Sequence, residues 1–223
     1  MIIDPKRMKE FKKLIQKRIP ENLRKKPDII LSGPSGCGKT TIARSSPHGI
    51  THVDKDYLFS VSAATREKRI NEIDGVDYNF MNEIMFKRTP MIEDNAYLGN
   101  GKMYGTLASE VIRIILNEGK RMVLDLDING GNNVKNLLGD NAFFVFIKTP
   151  IDILFKRLEN RMVDTGETYE IINKRIEAAK KEQELIEKQI IIPDFILNYD
   201  DNVSVGMAVN EIKLKSFHPN FLK

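Results

Sequence analysis

An α/β fold built around a parallel sheet is what this sequence predicts, on three observations. Apolar runs of strand length alternate with stretches of helical periodicity. The first of those runs leads straight into a glycine-rich turn, "GPSGCGKT", that opens a helix. One region, 66–105, breaks the alternation with short polar segments, which predicts a small inserted subdomain.

The elements follow in order. "DPKRMKEFKKLIQKRIP" spaces Met8, Phe11, Leu14, Ile15 and Ile19 at helical intervals, with cationic residues between them. That pattern belongs to helices packed on their own domain, its commoner use, and to helices lying on membranes or nucleic acid. Pro20 ends the segment. "PDIILSG" reads as a short buried strand and "GKTTIAR" as the start of a helix. Apolar runs follow at "YLFSVSA", "RMVLDLDI", "AFFVFIKT" and "IIPDFILN", with helical patterns at 106–117, 150–162 and 168–188.

Composition bounds the function. A chain of 223 residues, 41% hydrophobic and 30% charged, suits one domain with a mobile subdomain and a terminal extension. Residues 1–27 hold ten Lys or Arg against three Asp or Glu, an excess of seven; with a net charge of +4, the remainder carries −3. The basic balance therefore belongs to the arm, and no nucleic-acid partner is expected. No run approaches the roughly 20 apolar residues that span a bilayer, and the first residues lack the apolar core of a secretory signal. With a lone cysteine, Cys37, these features lead to the expectation of a cytoplasmic protein.

Gly33 to Thr40 satisfies G-x-x-x-x-G-K-[ST] in full, between a strand and a helix. Around Gly33, Gly36 and Gly38, backbone N–H groups can approach phosphate oxygens because no side chain intrudes. The helix that carries Lys39, Thr40 and Thr41 adds its positive end, Lys39 a point charge, and the Thr40 hydroxyl a ligand for Mg²⁺. Pro34, Ser35 and Cys37 complete the loop; at Cys37 side-chain identity matters little, and it is a small filler whose pKa a helix N-terminus can lower. Asp125 and Asp127, two apart at the end of an apolar run, are placed on one face of a strand, where a carboxylate can complete the magnesium shell, Asp125 through water.

Arg66 and Arg69, taken alone, are an R-x-x-R pair of a kind common on surfaces. In context, "FSVSAATREKRINEIDGVDYNF" followed by "IEDNAYLGNGKMYGT" resembles the nucleoside monophosphate-binding region of guanylate kinases, and with the P-loop and "LDLDINGG" the resemblance runs from about Pro27 to Asn198. It implies a P-loop NTPase fold with a parallel core sheet, an inserted GMP-binding subdomain at about 63–105 and a helical lid at about 160–180. The core would comprise 27–62 and 106–223, and residues 1–26 a basic extension. It implies that Arg66, Arg69, Tyr78 and Tyr104 hold the GMP phosphate, and that Glu93 receives the guanine N1–H and 2-amino group. Ser62, Thr106 and Asp127 match positions at the guanine, Glu72 and Asp125 acidic positions lining the site. Arg157, Arg161 and Arg175 match lid arginines that neutralise charge during transfer, and Asn198 the border of the adenine site. The sequence departs from the family at Ala63 and Ala64, where hydroxyl residues are usual, in a shorter segment before Glu93 and in a longer one before Tyr104.

The implied activity is transfer of the γ-phosphate of ATP, with Mg²⁺, to GMP or dGMP. Its rivals are a kinase for a phosphorylated sugar and a phosphopeptide-binding module without catalysis. A GTP-hydrolysing switch is disfavoured by the lack of an N-K-x-D motif. The oligomeric state is left open.

Overall fold

The computed structural model describes residues 19–96 and 102–217, with Lys13 and Lys17. The helix expected across residues 4–20 lies largely outside the described residues. Ile19, where it would end, is buried, and Pro20 leads into a 3₁₀ turn at Glu21–Leu23.

The described residues form two sheets. β1 (Asp28–Ser32) and β2 (Tyr57–Phe59) belong to the core sheet. β3 (Ala63–Ala64), β4 (Asn79–Phe80), β5 (Met91–Ala96) and β6 (Met103–Leu107) form the smaller one. The chain then returns to the core with β7 (Arg121–Leu126), β8 (Ala142–Lys148) and β9 (Phe195–Asn198). The core order is β2-β7-β1-β8-β9 and every pairing in it is parallel, as the alternation of strands and helices predicts. The smaller sheet, ordered β4-β3-β6-β5, has one parallel pairing and two antiparallel ones.

The helices are α1 (Lys39–Arg44), α2 (Ile50–Val53), α3 (Glu83–Arg88), α4 (Ala108–Val111), α5 (Ile128–Leu138), α6 (Ile151–Asn160), α7 (Met162–Thr165), α8 (Tyr169–Glu187) and α9 (Val205–Ser216). They cover both faces of the core sheet. Because strand side chains alternate, Ile30, Leu124, Phe144 and Phe146 point to one face, where α5 and the segment after α4 pack. Ile29, Leu31, Val123, Val145 and Ile147 point to the other, against α1, α6, α8 and α9. A sheet buried on both faces has no polar alternation, which is why these strands read as unbroken apolar runs.

Two segments differ from their sequence reading. "YLFSVSA" is not one strand: Phe59 pairs with Val123 in the core, and Ser60 N donates to Val123 O at 2.9 Å. Ala63 and Ala64 instead pair with β4 and β6 of the smaller sheet. The helical pattern at 106–117 begins only at Ala108, because Thr106 and Leu107 complete the ladder with β5. That helix continues as a π-helical turn at Ile112–Asn117. Among the described residues, no helix is long and apolar enough to cross a membrane.

Candidate active site

A cavity of about 700 Å³ opens where β1 and β7 end and the smaller sheet begins. Its first wall is the turn between β1 and α1. Gly33 and Gly38 have φ of 141° and 99°, which side chains rarely adopt. A Cβ on Gly33 would lie 2.7 Å from the Ile147 carbonyl oxygen, and one on Gly38 2.8 Å from the Tyr199 ring. The glycines thus allow both the turn and its close seating on β8 and Tyr199. Lys39 Nζ curls over the loop, donating to the carbonyls of Gly33 at 2.6 Å and Pro34 at 3.2 Å, and lies 4.0 Å from Asp125 Oδ1. Thr40 Oγ1 donates to Asp125 Oδ2 at 2.6 Å.

The facing wall is the smaller sheet with the segment between β3 and β4. Arg66 forks onto Glu72, with Nη1 to Oε2 at 2.5 Å and Nη2 to Oε1 at 2.6 Å. It also lies against the rings of Tyr78 and Phe80, at 4.9 and 5.2 Å from their centroids. Burial opposes its charge, but the Glu72 hydrogen bonds and charge outweigh burial and raise its pKa. Glu72 responds in kind: burial pushes its pKa up, and Arg66 and Arg69 bring it below the usual carboxylate range. Tyr104 meets Tyr78 edge to face, with centroids 5.8 Å apart.

Deeper in the same wall, Glu93 on β5 stands opposite Thr106 on β6. The Thr106 hydroxyl donates to Glu93 Oε1 at 3.0 Å, which fixes the carboxylate. A Cβ on Gly130 would come within 2.9 Å of Glu93 Oε2, so a side chain at the start of α5 would push the carboxylate aside. Glu93 is 6% exposed. Burial raises its pKa to about 7, the Thr106 bond opposing and Asp127 adding to the rise.

Along one side, α6 and α8 bring three arginines. Arg157 donates to Asp201 at 2.8 Å and lies over Tyr199. Arg175 donates from Nη1 to Ser35 Oγ at 2.6 Å and from Nη2 to Glu167. Arg161 closes α6; burial, then the charges of Arg69 and Arg175, lower its pKa.

A guanylate kinase family model matches residues 24–204 of this chain. The chain belongs to the guanylate kinase family. Curated guanylate kinases align over most of it. That of Sulfurimonas denitrificans is 36% identical across 78% of this chain and 80% of its own length. That of Halalkalibacterium halodurans is 34% identical across 83% and 84%. The crystal structure of guanylate kinase from Anaplasma phagocytophilum superposes with a TM-score of 0.58, at 20% identity, over 85% of this chain and 83% of that one. The architecture is the α/β P-loop NTPase fold of guanylate kinases, with a parallel core sheet.

Against that guanylate kinase framework, most residues singled out in the sequence line the one cavity. They are Gly33, Ser35, Gly36, Gly38, Lys39, Thr40 and Thr41 from the first wall; Ser62, Arg66, Arg69, Glu72, Tyr78, Glu93 and Tyr104 from the facing wall; and Asp125, Asp127, Arg157, Arg161 and Arg175. Four do not line it. Pro34 lies outside the lining, Thr106 sits behind Glu93, and Asn198 is exposed at the end of β9. Cys37 is fully buried, and burial pushes its thiol pKa up, the opposite of the lowering a helix N-terminus can produce. Asp127 is not on β7 beside Asp125: it is the N-cap of α5, accepting from Gly130 N at 2.8 Å.

Several lining residues escaped the sequence reading. Arg44 lies over Phe59 and reaches across to the Val76 carbonyl at 2.7 Å and to Asp77, joining α1 to the facing wall. Tyr199 backs the phosphate loop from the far end of the chain. Glu182 on α8 was missed too, though it lies outside the lining: it is 1% exposed with Oε2 unpartnered, and burial, opposed by Lys39 and aided by Asp127, raises its pKa to about 7. A basic residue at the end of α1 carried no spacing signal, whereas Glu182 could have been found as a carboxyl on the apolar face of α8.

Proposed function

We propose that this protein transfers the γ-phosphate of ATP to GMP, giving ADP and GDP, and accepts dGMP as well. The observation that carries the reading is that a complete phosphate loop and the buried carboxyl of Glu93 line one cavity from opposite walls. Guanine offers N1–H and a 2-amino group side by side, and a carboxylate accepts both. Adenine offers no such pair, so Glu93 supplies the discrimination. Arg66 and Arg69, with Tyr78 and Tyr104 on the same wall as Glu93, hold the acceptor phosphate.

The nucleophile is an oxygen of the GMP phosphate, already ionised at neutral pH, so no side chain need act as a base. Its bond to the γ-phosphorus forms as the bond to the ADP oxygen breaks, and the leaving electrons stay on ADP. The task left to the protein is to align two anions that repel each other and to offset charge on the transferred group. Lys39 and the arginines at 157, 161 and 175 serve that purpose. Thr40 and Asp125 fit Mg²⁺: both are oxygen donors of a kind hard cations prefer. Among the described residues no group of three or more His, Cys, Asp or Glu could hold a metal by itself, so the ion would depend on nucleotide phosphates and water for the rest of its shell. When bound, Mg²⁺ supplies charge neutralisation and orientation of the phosphate chain.

ADP release should be measured from ATP and Mg²⁺ with GMP, dGMP, AMP, UMP or no acceptor. Strong stimulation by GMP and little by AMP is expected. Equal stimulation by AMP would remove the base-reading role of Glu93. GMP binding without turnover would instead indicate a binding module.

A further inference from the structure

Where the two walls meet at the lid, arginines from both share one carboxylate. Glu167 lies in the connector between α7 and α8, and its side chain is 13% exposed. Its Oε1 accepts from Arg69 Nη2 at 3.1 Å and from Arg175 Nη2. Arg69 belongs to the acceptor wall, where it also reaches Glu72 at 3.4 Å. Arg175 belongs to the donor side, where its other nitrogen holds Ser35 of the phosphate loop at 2.6 Å. Arg161 is coupled to the same charges: those of Arg69 and Arg175 disfavour its own, and that of Glu167 offsets them. Two guanidinium groups thus converge on a single, largely buried lid carboxylate, with the charge of Arg161 felt by both.

Guanidinium groups crowded together repel, and in a partly desolvated site the repulsion is poorly screened. Phosphate oxygens would relieve it, using the same forked donors that a carboxylate uses. We propose that Glu167 is a resident anion, which holds the arginine cluster together in the empty site and is displaced from Arg69 and Arg175 when substrate phosphates enter. This inference rests on the phosphotransfer reading above and deepens it. Two consequences follow from charge alone. Each nucleotide binds less tightly than the arginines would otherwise allow, because it must first displace Glu167. Whichever nucleotide does so removes that cost for the other, so ATP and GMP favour each other's binding through one side chain.

The test is calorimetric titration of GMP into the full chain, with and without a non-hydrolysable ATP analogue, for the wild type, Glu167→Gln and Glu167→Asp. Glu167→Gln should bind GMP roughly three- to fivefold more tightly, the scale of one partly screened ion pair. The analogue should tighten GMP binding in the wild type and do so much less in Glu167→Gln. Glu167→Asp, which keeps the charge on a shorter arm, should fall between. Equal or weaker GMP binding by Glu167→Gln would overturn the inference and leave Glu167 as a structural brace.

Thermal melting with inorganic pyrophosphate provides a second reading that needs no turnover. The upward shift should be larger for Glu167→Gln than for the wild type, and an equal shift counts against displacement. If the wild type itself fails to bind GMP, the acceptor assignment fails, and the pyrophosphate comparison still decides whether Glu167 competes with phosphate.

Discussion

The two sheets are held together by different means. The core sheet has five strands sealed on both faces by apolar side chains, and Ile29, Ile30, Leu31, Phe144 and Val145 are wholly buried within it. The smaller sheet has two strands of only two residues, and its own apolar cluster contains four buried side chains, Ala63, Phe86, Met91 and Leu107. Much of the order beside it comes from polar contacts. Arg66 and Arg69 clasp Glu72, Asp77 Oδ2 accepts from Ile73 N at 2.8 Å, and Asp74 Oδ1 from Phe80 N at 2.9 Å. Burial of a large aliphatic side chain contributes about 1.5–3 kcal/mol wherever it occurs, so the core stands whether or not a ligand is present. In the acceptor wall, the groups proposed to bind substrate are the same groups that hold the wall. Ligand binding there must rearrange the very contacts that give the wall its order.

That contrast can be broken or sharpened by substitution. The largest effect should come from Lys39→Ala, which removes a charge from a wall whose shape is set by apolar packing. Turnover should fall about 10²- to 10³-fold with every acceptor, the scale for a lost charge-stabilising group, while the melting temperature stays close to wild type. A loss confined to GMP would mean that Lys39 does not act on the donor phosphates. Next in size, Arg66→Ala should raise KM for GMP by about a hundredfold, as expected for two lost charge-assisted bonds, with KM for ATP little altered. Amide exchange in residues 66–80 should quicken in the same variant and stay unchanged in β1 and β8. Faster exchange in the core strands would erase the distinction between the two sheets.

The smallest effect is one of pH. Burial raises the Glu93 carboxyl from 4.5 to about 7, so the empty pocket holds it partly protonated at neutrality. Guanine donates two hydrogens and so selects the carboxylate. GMP affinity should therefore be full above about pH 7 and weaken as pH falls below it, approaching tenfold per unit. The stability of the empty protein carries the opposite sign from this group: a carboxyl that holds its proton longer in the folded state stabilises at low pH, and that contribution declines as pH rises from 4.5 to about 7. The GMP phosphate titrates near 6, so Glu93→Gln is the control. A pH profile identical in that variant would assign the whole dependence to the phosphate.

The core sheet was legible because parallel strands buried on both faces must be apolar throughout, and the phosphate loop because its glycines answer a fixed geometric demand. The residues proposed to hold the acceptor were legible only through the family resemblance, since R-x-x-R and a lone glutamate in a polar stretch have no periodicity of their own. Two kinds of feature stayed hidden. The passage of "YLFSVSA" from one sheet to the other depends on which strands accept its hydrogen bonds, and those partners lie in β7, β4 and β6, far along the chain. The contacts of Tyr199 with Gly38, of Arg44 with Asp77 and of Glu167 with Arg69 likewise join residues distant in sequence.

Cys37 is the only cysteine in the sequence, and it is sealed beneath the phosphate loop with its thiol held in the unreactive protonated form. To a thiol-directed dye the native protein is therefore a blank surface. A cysteine placed at exposed Ile70 on the acceptor wall and another at exposed Tyr169 at the start of α8 would be the two labelled positions, with no need to remove the native one. The distance between acceptor wall and lid can thus be followed by fluorescence in a chain whose phosphate loop is left untouched.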